Sequence, residues 1–149
     1  MPLLIVGSAS AFAPVGMLKN GPQQLTQDWA MVVNWTADVA RYPGSVVVGD
    51  KQEQLRSLGS KTNAKIEVGL PFSGGSTISG MSHQVQFRIN GSDIPGVGEI
   101  GGNQGTLGLS LNWDVHAGDV ITAVVRCIPT LGSTMPTINA TANAYLRIS

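Results

Sequence analysis

The chain has 149 residues, one domain's worth, and nine Lys+Arg balance nine Asp+Glu, with charged residues at only 12%, about half the ~25% of an ordinary soluble domain. Zero net charge excludes nucleic-acid binding by phosphate neutralisation, and no apolar run approaches the ~18–20 residues of a membrane helix, so membrane insertion is not expected. The lone Cys127 excludes an intramolecular disulfide framework and a thiolate zinc site, and 42% apolar residues argue against disorder.

Met1–Gly16 holds the apolar stretch Leu3, Leu4, Ile5, Val6, with no Lys or Arg before it. That stretch is shorter than the ~7–15 residues of a secretory leader. It reads instead as a strand or assembly arm, within an arm region spanning residues 1–24 ahead of a head domain at 25–149. Trp29, Met31, Val33, Trp35 and Ala37 alternate with increasingly polar neighbours, which predicts one long strand, because successive side chains point to opposite sheet faces. Ser45–Val48 reads as a short strand, and 51–60 as a loop or helical turn. Ala64–Leu70 alternates cleanly, Pro71–Gly80 is a Gly/Ser loop, and Val85, Phe87 and Ile89 face inward. Asn90-Gly91 marks a tight hairpin turn.

Ser92–Gly105 reads as a long glycine-rich loop, after which Leu107, Leu109, Leu111 and Trp113 face in. Val120–Ile128 is nearly continuous in apolar residues, as in a central strand covered on both sides. Ile138, Ala140, Ala142, Ala144, Leu146 and Ile148 then alternate with polar residues, predicting a final strand whose small residues admit a second surface. Seven or eight strands at this spacing predict an all-β, antiparallel two-sheet jelly-roll sandwich of about eight strands. The 39 Ser, Thr, Asn and Gln outnumber 18 charged residues. A surface of hydroxyls and amides is the habit of lectins, virion shells and packed oligomers.

Chemistry-bearing motifs are weak. Gly96-Val97-Gly98-Glu99-Ile100-Gly101 spells a dinucleotide fingerprint, but no helix can start after it and no βαβ unit surrounds it. His83 and His116 are the only histidines, with no metal-binding spacing and no nucleophile elbow. Asp114 and Asp119 lack a ligand-dense calcium loop, and Asp119 reads as a turn residue bonding nearby amides. Cys127 reads as a small buried hydrophobe, and the three tryptophans as core, since a sugar-stacking tryptophan belongs on a loop or outer face. No catalytic, cofactor-binding or metal residue is therefore assigned, and the chain is not expected to be an enzyme. The exposed-loop positions Phe72 and Ile100, with Tyr42 and Tyr145, are the candidate contact surface.

Two stretches resemble a known family. Leu111-Asn112-Trp113-Asp114-Val115-His116-Ala117-Gly118-Asp119-Val120-Ile121, followed by the alternating 138–148 segment, is similar to the globular heads of the tumour-necrosis-factor/complement type. Val33-Asn34-Trp35-Thr36-Ala37-Asp38, Tyr42-Pro43 and Phe87-Arg88-Ile89-Asn90-Gly91 look like the version in minor tail proteins of actinobacterial phages. The resemblance spans roughly residues 25–149 and implies a homotrimer packed about a threefold axis. It further implies a virion protein at the phage tail tip, touching other virion proteins and open to adhesion on a host cell-surface glycan. A decoration trimer on the capsid, held by residues 1–24, and a free lectin-like module are the alternatives.

Overall fold

A computed structural model describes residues 11–76 and 80–149, all of them strands or the turns and loops between. In chain order the strands are β1 (Val15–Lys19), β2 (Gln23–Gln24), β3 (Ala30–Met31), β4 (Trp35–Ala37), β5 (Val47–Val48), β6 (Gln54–Arg56) and β7 (Lys61–Ser73). They continue with β8 (Ser82–Ile89), β9 (Ser92–Asp93), β10 (Gly98–Gly101), β11 (Gly105–Val115), β12 (Val120–Ile128), β13 (Thr137–Ile138) and β14 (Tyr145–Ile148). Two antiparallel sheets result. In the first, neighbours run β2-β13-β7-β14-β1-β4, and β11 lies along the free side of β7. In the second they run β10-β8-β12-β6-β5, with β3 beside β12 and β9 beside β8. This is the expected two-sheet jelly roll.

The sheets adhere through their apolar phases. Ala64, Ile66, Val68, Leu70 and Phe72 of β7, with Val15, Met17, Leu146 and Ile148, form one wall of the core. Val85, Phe87, Ile121, Ala123, Val125 and Cys127 form the other, and all are almost wholly excluded from water. Each large apolar side chain so buried contributes roughly 1.5–3 kcal/mol. The hairpin read at Asn90-Gly91 is present, with φ of 51° and 83° at the two central residues, the mirror-image turn that matches strand twist. The Asn90 side chain also takes the Val120 N–H at 3.0 Å and donates to Asp119 at 2.8 Å, fixing this end of the second sheet.

Several expectations are corrected. The single strand expected over 29–37 is two strands in different sheets: β3 pairs with β12, and β4 pairs with β1. Asn34 adopts a left-handed φ of 58° between them, and the Gln23 side chain caps the break, accepting from Val33 N–H and donating to Met31 O. The phase slips there, so Val32 is buried while Met31 is 37% exposed. Likewise the final strand is two segments, because 139–144 turn between sheet positions and leave Ala140 and Ala142 exposed. Residues 51–60 contain β6, anchored by the buried Leu55. The glycine-rich stretch after Asn90 contains β9 and β10. Residues 15–24, expected in an arm, belong to the sandwich instead, since β1 is hydrogen-bonded to β14 and β4 on its two sides. Leu3, Leu4, Ile5 and Val6 lie outside the described residues.

Of the tryptophans, only Trp35 is core, its indole N–H donating to Val32 O at 2.8 Å. Trp29 lies under the Arg126 guanidinium, 4.8 Å from its ring centre, and Trp113 is 37% exposed. Gly98 on β10 marks where the two sheets touch at one edge, because a Cβ there would overlap the Gly108 carbonyl of β11. Gly98→Ala is therefore expected to cost about 1–3 kcal/mol, the scale of overpacking, read as a lowered urea midpoint. An unchanged midpoint would show that this edge is not close-packed.

Candidate functional site

The outer face of the first sheet follows from the same alternation that builds the core. When Ile66, Val68 and Leu70 point in, Lys65, Glu67 and Gly69 of β7 point out. Register brings their outer-face partners beside them: Arg147 opposite Glu67, Tyr145 opposite Gly69, and Gly108 opposite Gly69 on the other side. On β1, Leu18 pairs with Tyr145, and Gly16 with Arg147. The face thus reads Leu18, Tyr145, Gly69, Gly108 along one row and Gly16, Arg147, Glu67, Ser110 along the next.

Two tyrosine rings lie flat on two glycines. A Cβ at Gly69 would sit 3.0 Å from the Tyr145 ring, and one at Gly16 would meet the Tyr42 ring at 2.6 Å. Any larger residue would lift each ring off the sheet. Tyr42 is held there by its turn, whose carbonyl accepts from the Ser45 hydroxyl at 2.7 Å, while the same hydroxyl accepts from Gly16 N–H at 3.0 Å. Arg147 stacks over the Tyr145 ring at 4.2 Å, an attraction of guanidinium for the ring face.

Two cations on this face share one carboxylate. Glu67 receives Lys65 on one carboxylate oxygen at 2.8 Å and Arg147 on the other at 3.0 Å. Partial burial works against ionisation of Glu67, but the hydrogen bonds and charges of Lys65 and Arg147 outweigh it and hold the carboxyl below its ordinary value of 4.5.

The structure brings together two of the four expected contact residues, Tyr42 and Tyr145, both half-buried beside Arg147. The other two are elsewhere. Phe72 is a correction: it sits on β7, not in a loop, in the inward phase at 2% exposure, edge-on to the His83 ring at 4.5 Å. Ile100 is on β10, half-buried against the core. Glu67, Gly69, Gly16 and Gly108 were not singled out by sequence. Tyr145 and Arg147 share a phase that is visible in sequence, but which strand lies beside them is not.

The remaining chemistry-bearing residues are scattered. His83 is fully buried, with Nε2 2.7 Å from Gly102 O and Nδ1 without a partner. Cys127 is buried as expected, 3.8 Å from the Met81 sulfur, and burial pushes its thiol pKa up. Asp119 acts as the expected turn residue, accepting His116 N–H at 2.8 Å. Among the described residues no three His, Cys, Asp or Glu side chains converge on a metal-sized site. The fingerprint-like glycines form β10 and its flanks, with a strand where a phosphate-binding helix would have to begin.

No family model matches the chain, and no curated protein matches it in sequence. Solved structures do match its fold. Eiger TNF from S. frugiperda aligns with 93% of this chain and 92% of its own, at TM-score 0.58 and 13% identity. Murine APRIL at pH 8.5 aligns with 93% and 98%, at TM-score 0.59 and 11% identity. The chain therefore has a jelly-roll fold of the tumour-necrosis-factor type; at such identity the likeness concerns fold alone.

Because the folded-state pKa of Glu67 is lowered, its ion pairs stabilise the protein above the ordinary carboxylate value, and that contribution disappears as pH falls through the lowered one. Glu67→Gln is expected to cost about 1 kcal/mol at neutral pH and almost nothing in acid. Urea unfolding at both pH values checks this, and an equal loss at each would refute the electrostatic account.

Proposed function

We propose that this chain is a non-enzymatic, homotrimeric jelly-roll head of a phage virion, placed at the tail tip as a structural and adhesive element. The observation that carries this reading is the outer face of the first sheet. Tyr42 and Tyr145 pack over Gly16 and Gly69, and Gly108 continues the row beside Gly69, so aromatic rings and small residues let a second surface approach closely. Its charged groups Lys65, Glu67 and Arg147 are joined in one cluster, which lowers the cost of covering them relative to isolated ions. A threefold ring closes when this face of one protomer meets a different surface of the next, three times about one axis.

Support for the virion comes from the sequence resemblance over residues 33–38, 42–43 and 87–91, together with a charge content suited to an assembled particle. Burial of His83 and Cys127 supports a non-catalytic role, since a nucleophile or base must reach its substrate. A capsid decoration trimer uses the same face and remains the alternative location.

Light scattering behind a sizing column should give about three times 15.5 kDa. Gly108 is exposed, and the nearest atom to an added Cβ is Val68 O at 3.4 Å. Gly108→Arg should therefore leave the fold and melting temperature intact while yielding monomers. A monomeric parent chain, or a trimer indifferent to Gly108→Arg, would overturn the assembly. Immunogold labelling of virions should mark the tail tip, or the capsid in the alternative; unlabelled particles would refute the virion role.

A further inference from the structure

The inner row of β11 ends in a tryptophan that the core does not cover. Trp113 pairs with Ala64 and Val115 pairs with Lys61. Thr62 and Asn63 of β7 thus oppose Asp114 alone, a two-against-one β-bulge, a device that re-aims side chains. Asn63 adopts a left-handed φ of 56° there, and its N–H donates to one Asp114 carboxylate oxygen at 2.7 Å. Asn tolerates this conformation better than most residues, so the bulge is locally specified and pinned.

The bulge lies beside an open cleft of about 420 Å3, lined by Asn63, Asn112, Trp113, Asp114 and His116. Trp113 is 37% exposed. Polar groups along this wall have spare capacity: the Asn63 and Asn112 amides and the second Asp114 oxygen, while the His116 ring is 77% exposed with its Nδ1 3.5 Å from Asp119. An amide offers paired donors and an acceptor, and a carboxylate offers acceptors. A flat aromatic surface flanked by such groups is complementary to a pyranose, whose C–H face is apolar and whose rim carries adjacent hydroxyls.

We propose that this cleft binds a neutral hexose, with Trp113 stacking on the sugar ring and Asn112, Asp114 and Asn63 taking its hydroxyls. No Lys or Arg lines the cleft, and its carboxylate repels acidic sugars. The groove at Trp29 is a poorer match, because Arg126 already covers that ring and Lys51 and Arg88 line the wall. The proposal rests on the adhesive part of the role above, yet the two fail separately. A monomer that binds hexose refutes the trimer alone, and a trimer blind to hexoses refutes the cleft alone.

The test is titration of the full chain with methyl glycosides of glucose, mannose and galactose, and with N-acetylneuraminic acid, following the indole N–H signals by NMR. At least one neutral glycoside should shift the Trp113 signal saturably at millimolar concentration, leaving Trp35 unmoved, while N-acetylneuraminic acid has no effect. Trp113→Ala should weaken binding about tenfold or more, the factor carried by ~1.4 kcal/mol. Asn112→Ala, an exposed change with the melting temperature unaltered, and Asp114→Asn, which keeps an acceptor for Asn63, should each weaken it as well. A silent Trp113 signal with all three neutral glycosides, preference for the acidic sugar, or full binding by Trp113→Ala would each overturn the proposal.

Discussion

The thirteen residues of β7 alternate between two environments, and the hydrogen-bonded ladders on both sides lock that alternation. A one-residue slip would send Ile66, Val68 and Leu70 to the surface and Lys65 and Glu67 into the core. Several apolar transfers of roughly 1.5–3 kcal/mol each oppose it. Because the inner row is fixed, the outer row is fixed too: Glu67 must meet Arg147, and Gly69 must lie under Tyr145. Core and contact face are two readings of one strand.

The same strand also sets the limits of the sandwich. Its bulge at Thr62–Asn63 breaks the ladder near one end, where Trp113 is left partly in water. Farther along, β13 takes over from β14 as its partner, so Phe72 stays in the core beyond the point where the Gly/Ser stretch begins. The close contact of Gly98 with the Gly108 backbone then draws the second sheet against the far side of β11. Both proposed surfaces border β11, with Gly108 and Ser110 on the self-assembly face and Asn112 and Trp113 at the sugar cleft farther along the strand.

A jelly roll of this type does not by itself specify a role, because function resides in what the outward residues do. Here those residues are largely hydroxyls, amides, glycines and a few aromatic rings, and on the first sheet Lys65 and Arg147 share the Glu67 carboxylate. A surface that presents little unpaired charge can be covered by protein or by sugar at low desolvation cost. His83 packs edge-on against Phe72, and Cys127 lies beside the Met81 sulfur.

Legibility differed by range. The inward phases of 64–70, 85–89 and 144–148 were readable because side-chain alternation is a local property, and the Asn90-Gly91 turn because its backbone chemistry is local as well. The breaks at Asn34 and at 139–144 were not, since each depends on a partner far away in sequence, such as the Gln23 side chain that caps Val33. Tyr42 and Tyr145 could be picked out as candidates one at a time, but their shared site with Gly16, Gly69 and Glu67 exists only through cross-strand register. Trp113 is the sharpest case. Its spacing alone assigned it to the core, and only the tertiary structure decided otherwise, because burial requires a facing layer and alternation cannot say where that layer stops.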